Sequence, residues 1–309
     1  MIQPYHSNGK LLLTGEYLVL KGAEALALPL QLGQSLSAIP IHEPGRLEWK
    51  SNYQDSTFFK AVFSGKNMQL VESTDGEMAS YLRHLMQKVV NRVPSLLQKN
   101  GYQIETTLDF PLEWGLGSSS TLISNLAQWL QIDPFALNRE ITHGSGYDIA
   151  CSRSNQPLLY QISEEGVRYR QVDLSPPFKD HIYFVFTGKK QRTKQEVKKF
   201  LSKQHTHNHL FKSIRDINKR IIDSKHLGDF QRALAEHERI VSRVLDVPPI
   251  QEQRFSDFTG TIKSLGAWGG DFILAAWPGP RSELDDYFTF HGMEPIFTWD
   301  EMIKNKQYA

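Results

Sequence analysis

The sequence predicts an α+β protein of two domains, and three observations support this. Several short apolar runs separated by Gly and Pro make the first part of the chain typical of β-structure. A glycine- and serine-rich segment then precedes an apolar, helix-like run over residues 121–130. Beyond it, further strand patterns flank a long helical region. Because the pattern of predicted elements changes in this second half of the chain, we place an approximate domain boundary near residue 180, which gives domains of residues 1–180 and 181–309.

Each element follows from its own local pattern. In the first half, strands are predicted over residues 10–15, 25–29, 35–39, 46–49 and 102–108. A helix is predicted over residues 77–93, where apolar side chains recur at helical spacing until Pro94. In the second half, strands are predicted over residues 158–162, 167–172, 181–186 and 272–277. Helices are predicted over residues 193–245, with a break near Gly228, and over residues 251–263.

Composition excludes several classes of protein. The 309 residues are 40% hydrophobic and 22% charged, which is typical of a globular chain rather than a disordered one. With 35 basic against 34 acidic residues, no global charge attracts nucleic acid or an anionic membrane. The single cysteine, Cys151, excludes an internal disulfide and cysteine-rich zinc sites. With one cysteine, a polar N-terminus and no long apolar run, we expect a cytoplasmic protein that acts on a small soluble molecule. We expect it to be a monomer or a homodimer.

The most informative segment covers residues 111–120 and has the composition of a phosphate-binding loop. Gly115 and Gly117 allow the backbone to approach an anion closely, and the N-terminus of the following helix attracts negative charge. Ser118, Ser119 and Ser120 can cap that helix or offer hydroxyls to a phosphate or a metal ion. An ordinary turn with a helix cap is the alternative. A Walker loop and a dinucleotide fingerprint are excluded, because no lysine follows Gly117 and Ser120 stands at the third glycine position.

Two further segments join this loop in a recognisable order. Residues 9–17, the loop itself and residues 263–271 together resemble the three motifs of the GHMP kinase superfamily, over nearly the whole chain. The resemblance implies a two-domain fold with an N-terminal ribosomal-protein-like α/β domain that binds nucleotide. It also implies a C-terminal ferredoxin-like α+β domain that helps close the substrate cleft. Residues 144–150 are similar to the family's catalytic aspartate segment, and residues 186–188, followed by Thr193, are similar to a turn of phosphomevalonate kinases.

The resemblance also implies roles for individual residues, with ATP as phosphoryl donor and Mg²⁺ as its metal. The phosphates would be held by the loop residues Gly115, Leu116, Gly117, Ser118, Ser119 and Ser120, with Ser119 in contact with Mg²⁺. Asp148 would orient or deprotonate the acceptor, and Lys10 would lie near both, offsetting charge on the transferred group. A helix cap is the alternative for Asp148, and a surface lysine is the alternative for Lys10.

The first motif points to one branch of the superfamily. Its ending at Gly15, Glu16 and Tyr17 is similar to the mevalonate branch, so the expected acceptor is mevalonate or phosphomevalonate. The substrate-side candidates are Glu16, Tyr17, Lys189, Lys190, Arg192, Gly266, Ala267, Gly269 and Gly270. A core position for Tyr17 and a solvated helix face for the basic residues are the alternatives.

Two features depart from the family pattern and keep rival functions open. Trp268 stands where the family usually has glycine. No residue is a clear second carboxylate ligand for Mg²⁺; Glu140 is the nearest candidate, and a solvated glutamate on a helix is the alternative for it. The rivals are a lyase resembling diphosphomevalonate decarboxylase and a catalytically silent relative that binds nucleotide or a protein.

Overall fold

The computed structural model describes residues 3–142, 144–188, 200, 208–266 and 270–305. The chain divides into two compact units, each built from several segments. The first unit comprises Met1–Gly9, Leu32–Leu112 and Leu116–Arg153. The second comprises Lys10–Gln31, Glu113–Gly115 and Ser154–Ala309. The boundary predicted near residue 180 lies within the second unit.

The sheet of the first unit has the strand order β5-β4-β3-β6-β2, with β1 also paired to β2. The strands are β1 (Tyr5–Thr14), β2 (Ala25–Ile41), β3 (Arg46–Tyr53), β4 (Ser56–Ser64), β5 (Gln69–Ser73) and β6 (Gly101–Leu108). Strands β3 and β6 run parallel, whereas the pairs β3–β4, β4–β5 and β2–β6 are antiparallel. Strands β1 and β2 continue into the second unit, so single stretches of backbone belong to both units.

Helices α1 (Gly76–Arg92), α2 (Ser118–Leu130), α3 (Pro134–Ile141) and α4 (Tyr147–Ser152) complete the first unit. Asp75 caps α1, because its side chain accepts a hydrogen bond from the Met78 backbone N–H at 2.8 Å. The apolar stripe that predicted this helix is buried against the sheet, which makes the hydrophobic core of the unit. The predicted positions of α1 and of strand β6 are confirmed.

The second unit contains an antiparallel four-stranded sheet in the order β10-β11-β9-β12. The strands of this sheet are β9 (Ile182–Phe186), β10 (Thr261–Leu265), β11 (Phe272–Ala276) and β12 (Ile296–Thr298), and the unit also contains β7 (Leu158–Ser163) and β8 (Gly166–Gln171). Strands β7 and β8 form a hairpin, and β7 pairs with the beginning of β2.

Five described helices accompany these strands. They are α5 (Asn208–Asp223), α6 (Leu227–Leu245), α7 (Ile250–Arg254), α8 (Arg281–Phe290) and α9 (Trp299–Met302). One core lies between the four-stranded sheet and helices α7 and α8, with Val185, Ile273 and Phe288 fully buried. Another forms where Tyr17 and Leu18 pack with residues of α5 and α6.

Three predicted elements need correction. The separate strands predicted over residues 25–29 and 35–39 are one strand, β2; Gly33 within it marks a close approach, since a Cβ there would lie 2.4 Å from the Ser7 carbonyl oxygen. The helix predicted over residues 251–263 ends at Arg254, and Lys263 lies in β10, where pairing with β11 overrides the helical pattern. The break predicted near Gly228 lies between Asp223 and Leu227, so Gly228 is the second residue of α6 rather than part of the break.

The predicted α+β class is confirmed by these two sheets and the helices around them. Among the described residues, no helix has both the length and the apolar character needed to cross a membrane.

Candidate active site

The glycine/serine loop enters helix α2 through glycine rather than through serine. Gly115 and Gly117 both have left-handed backbones, with φ of 67° and 98°, which favour glycine. Gly117 is the N-cap of α2, so the predicted role of the three serines as caps is wrong. Instead, Ser118, Ser119 and Ser120 form the first turn of the helix, where the backbone N–H groups are free of intrahelical partners. This is the backbone geometry that binds anions at helix N-termini.

The serine hydroxyls have partners from other parts of the first unit. The Ser120 hydroxyl donates to Oδ2 of Asp148, 28 residues later, and the Ser119 hydroxyl is hydrogen-bonded to the hydroxyl of Tyr81 in α1. Asp148 lies in the first turn of α4, after the left-handed N-cap Gly146, and its Oδ1 accepts from the Ile149 backbone N–H at 3.1 Å. The first unit therefore brings a carboxylate and three hydroxyls together at the N-terminus of α2.

Burial and charge both act on Tyr81 in this cluster. Burial raises the pKa of its hydroxyl, and the nearby Asp148 carboxylate raises it further, while the hydrogen bond with Ser119 acts in the opposite direction. Tyr81 therefore remains a neutral hydroxyl near neutral pH. The sequence did not indicate Tyr81, because its contact with Ser119 joins positions 38 apart on two different helices.

A buried polar network fixes helix α2 beneath the loop. Thr121 donates to the Gln34 side chain at 2.7 Å, and the Asn125 amide donates to the Gln34 carbonyl at 2.8 Å. Ser7 donates in turn to the Asn125 side chain at 2.7 Å. All four residues are buried, so a lost partner would leave a polar group unpaired at a cost of about 1–3 kcal/mol. This network holds the loop end of α2 on strands β1 and β2.

The ammonium group of Lys10 binds the backbone of Gly115, and both residues belong to the second unit. Its ammonium donates to the carbonyl oxygen of Gly115 at 2.9 Å, so the lysine of the first motif touches the backbone of the loop. The Asp271 carboxylate lies against the same glycine, because a Cβ on Gly115 would come 1.8 Å from Oδ2. The second unit thus joins the predicted residues Lys10 and Gly115 with Asp271, which ends the third motif and had no predicted role.

Gly270 and Asp271, at the end of the third motif, contact the turn at residues 186–188. The Thr187 hydroxyl donates to the carbonyl of Gly270 at 2.9 Å, and the Thr187 backbone N–H donates to that of Asp271 at 2.9 Å. Gly266 has a left-handed backbone, and its N–H donates to the Leu12 carbonyl at 3.3 Å. The candidates Lys189, Lys190, Arg192, Ala267 and Gly269 lie outside the described residues, as does Trp268.

Glu16 and Tyr17 point into the protein. Tyr17 is buried, with its ring centroid 5.7 Å from that of Phe200. Glu16 is 1% exposed, and its Oε1 accepts a hydrogen bond from the Lys263 ammonium at 2.5 Å. Both side chains therefore have structural partners, and their predicted contact with substrate stays a prediction.

Glu16 belongs to a buried group of charges that the sequence did not reveal. Lys263 faces a second carboxylate, that of Glu238, at 3.6 Å, and Nε2 of His237 lies 3.3 Å from Oε2 of Glu16. Since the Gly15 N–H donates to this Nε2 at 2.8 Å, His237 is the neutral tautomer with its proton on Nδ1. Burial lowers the His237 pKa well below its usual value, and the charge of Lys263 lowers it further. Burial also raises the pKa of Glu16 to about 7, against the opposing effect of Lys263.

Glu140 forms surface ion pairs with two basic residues of α1. It is hydrogen-bonded to Arg92, and one of its oxygens lies 3.7 Å from the Lys88 ammonium. This agrees with a solvated helix residue rather than a second Mg²⁺ ligand. Among the described residues, no three His, Cys, Asp or Glu side chains form a group that could hold a metal ion.

Comparison with known proteins rests on solved structures. No family model matches the sequence, and no curated protein does. The phosphomevalonate kinase of Streptococcus pneumoniae, solved with phosphomevalonate and AMPPNP, superposes with a TM-score of 0.70 at 15% identity, over 96% of this chain and 100% of that one. The mevalonate kinase of Methanococcus jannaschii gives a TM-score of 0.68 at 15% identity, over 99% of both chains. The chain has the GHMP kinase fold.

The GHMP kinase fold is shared by proteins with different substrates. The galactokinase of Lactococcus lactis, solved with galactose, also matches, with a TM-score of 0.65 at 13% identity over 98% of this chain and 93% of that one. The fold predicted from the three motifs is therefore confirmed. The fold by itself does not select the acceptor.

Proposed function

We propose that this protein is an ATP-dependent phosphotransferase for a small acid. The observation that supports this most strongly is the hydrogen bond from the Ser120 hydroxyl to Asp148. It places a carboxylate beside the N-terminus of a helix that follows a glycine-rich turn. Phosphoryl transfer needs this combination, because phosphate oxygens must be held while a group nearby orients the attacking oxygen.

The proposed roles divide between the loop and Asp148. The backbone N–H groups from Gly115 to Ser120 would hold the phosphates of ATP. Asp148 would orient the acceptor oxygen, and it would also accept the proton if that oxygen belongs to a hydroxyl group. Lys10, held on the Gly115 carbonyl, would offset negative charge on the transferred group.

The oxygen atoms at this site fit Mg²⁺. This ion prefers hard oxygen ligands and is usually bound through one or two carboxylates together with substrate phosphates and water. Asp148 and the hydroxyls of Ser119 and Ser120 form such a donor set, and we propose Ser119 as the protein's contact. When bound with ATP, Mg²⁺ would neutralise charge on the phosphates.

The proposed acceptor is mevalonate or phosphomevalonate. The support is the ending of the first motif at Gly15, Glu16 and Tyr17, which is similar to the mevalonate branch. With phosphomevalonate, the attacking phosphate would already be ionised near neutral pH, so Asp148 would only orient it.

An ADP-release assay with ATP and Mg²⁺ tests the proposal across mevalonate, phosphomevalonate, homoserine and galactose. We expect turnover with one of the first two. Activity with only homoserine or galactose would refute the branch, and carbon dioxide release coupled to ATP use would identify a decarboxylase. The absence of turnover with all four would favour a nucleotide- or protein-binding relative.

Asp148→Asn tests the catalytic assignment. We expect its turnover to fall about 100-fold or more, as is usual when a group that orients or deprotonates the nucleophile is removed. Asp286→Asn is the matched control, because Asp286 is an exposed aspartate of α8, and it should keep parental turnover. Full activity in Asp148→Asn would show that the assignment is wrong.

A further inference from the structure

Asp271 packs its carboxylate directly onto the backbone of the loop. A Cβ added to Gly115 would lie 1.8 Å from Oδ2 of Asp271 and 2.7 Å from Cγ. With Asp271 in this conformation, a side chain at position 115 would clash with its carboxylate, and the φ of 67° also favours glycine there. The contact joins positions 156 residues apart in sequence, and neither motif alone indicates it.

The backbone that carries Asp271 is itself held firmly. The Thr187 N–H donates to the Asp271 carbonyl at 2.9 Å, and the Thr187 hydroxyl donates to that of Gly270 at 2.9 Å. Strand β11 begins at the next residue, Phe272, which is buried in the second unit. The backbone from which the Asp271 carboxylate reaches Gly115 is therefore fixed.

Gly115 is held from several sides within the second unit. Lys10 donates to its carbonyl at 2.9 Å, and the neighbouring Trp114 packs its ring against aromatic side chains. Those rings, with centroids 5.5–5.8 Å from that of Trp114, belong to Phe186, Phe272 and Phe297. Because glycine samples left- and right-handed conformations about equally, a glycine keeps one conformation only when its surroundings impose it.

We propose that Asp271 is a positioning residue of the phosphate-binding loop. Its carboxylate excludes other conformations of Gly115 and so keeps the Gly115 carbonyl where Lys10 binds it. Asp271 acts through Gly115 and has no assigned contact with substrate. The inference rests on the proposed function, since it concerns the loop that would hold ATP.

Replacing Asp271 with alanine would open space beside Gly115 and release the loop. We expect Asp271→Ala to weaken binding of AMPPNP with Mg²⁺ by about tenfold, and to leave the acceptor KM within about twofold, because misplaced binding groups lose affinity for their own ligand. Asp271→Asn keeps the volume of the side chain and should restore nucleotide binding to near the parental value. A residue with only a general role in stability would not produce this split between the two substrates.

A double-mutant cycle tests the packing without requiring turnover. Gly115→Ala should lower the unfolding temperature by about 5 °C or more, since it combines a clash with backbone strain. The matched control is Gly292→Ala, where φ is 66° and nothing lies within 4 Å of an added Cβ, so that strain acts alone. In the Asp271→Ala background the contacts with Oδ2 and Cγ are gone and only the Cβ contact at 3.3 Å is left, so Gly115→Ala should cost about as much as Gly292→Ala does.

Each outcome has a distinct meaning. An equal loss from Gly115→Ala with and without Asp271 would overturn the packing claim. Unchanged AMPPNP binding in Asp271→Ala would overturn the positioning role, even if the packing claim holds. If the parent protein binds AMPPNP but turns over no acceptor, the proposed phosphotransferase function fails, while the role of Asp271 in nucleotide binding is still decided by the same titration.

Discussion

Glu16 and Lys263 form a buried pair across 247 positions of sequence, with the lysine ammonium donating to Oε1 of the glutamate at 2.5 Å. Both side chains are almost fully buried, and the carboxylate of Glu238 lies on the same ammonium at 3.6 Å. One cation thus faces two carboxylates in the interior. Removing a partner from such a group leaves buried charge without compensation, whereas exposed pairs contribute little.

Lys263→Met should therefore destabilise the protein strongly. We expect a loss of about 3–5 kcal/mol in the free energy of unfolding near pH 8, measured by urea denaturation. The loss should be smaller at pH 5, because protonation of the glutamates removes their need for a cation. Lys179→Met breaks a pair that is largely exposed, with Asp300, and should cost less than about 1 kcal/mol. Equal losses for the two variants would contradict the prediction.

Glu16 should make stability fall as the pH rises. Its pKa is about 7 in the folded protein against 4.5 as the reference, so the folded state binds this proton more tightly than the unfolded state does. The resulting stability is complete below pH 4.5 and is lost as the pH rises through 7. Relative to Glu16→Gln, the parent should lose about 3 kcal/mol between these values.

Urea denaturation of both proteins across this pH range measures that difference. Glu283→Gln, at an exposed position of α8, controls for the general loss of a carboxylate. A parent that gains stability relative to Glu16→Gln as the pH rises would show that the sign is wrong.

Ser120→Ala should impair the proposed transfer reaction while preserving the fold. A hydrogen bond to a charged group is worth about 1.5–3 kcal/mol, so we expect kcat to fall about tenfold to 100-fold if Ser120 holds Asp148 in position. Ser124→Ala is a control on the same helix, because the Ser124 hydroxyl is buried without a hydrogen-bond partner among the described residues. Steady-state ADP release should show parental kcat for Ser124→Ala, and the same value for Ser120→Ala would refute the role.

Tyr81→Phe should raise the Mg²⁺ concentration that ADP release requires, with a smaller effect on the stability of the fold. The Tyr81 hydroxyl is hydrogen-bonded to Ser119, the proposed Mg²⁺ contact, and its loss would free the serine to turn away. We expect the Mg²⁺ concentration for half-maximal ADP release to rise about three- to tenfold, as for loss of one neutral hydrogen bond. Tyr53→Phe is the control, because it removes a hydroxyl that is hydrogen-bonded only to the exposed side chain of Gln54 among the contacts described. This variant should need the same Mg²⁺ concentration as the parent. No shift in Tyr81→Phe would argue against this role.

Local patterns in the sequence were sufficient to predict much of the fold. The apolar stripe of α1, the strand at β6, and the loop leading into α2 each depend on neighbouring residues, whose spacing is visible along the chain. The order of three motifs added the GHMP kinase fold, which the solved structures bear out. Prediction was wrong where pairing between distant segments overrides local pattern, as in β2 and at Lys263 in β10.

Only the tertiary structure revealed which side chains meet. Ser120 and Asp148 are both in recognisable motifs, yet nothing in either segment shows that one hydroxyl rather than another reaches the carboxylate. Asp271 against Gly115, and Glu16 with Lys263, join still more distant positions. The spacing of residues along a chain specifies the faces of its helices and strands, but contacts between faces depend on how those elements pack, and that packing is a property of the whole folded chain.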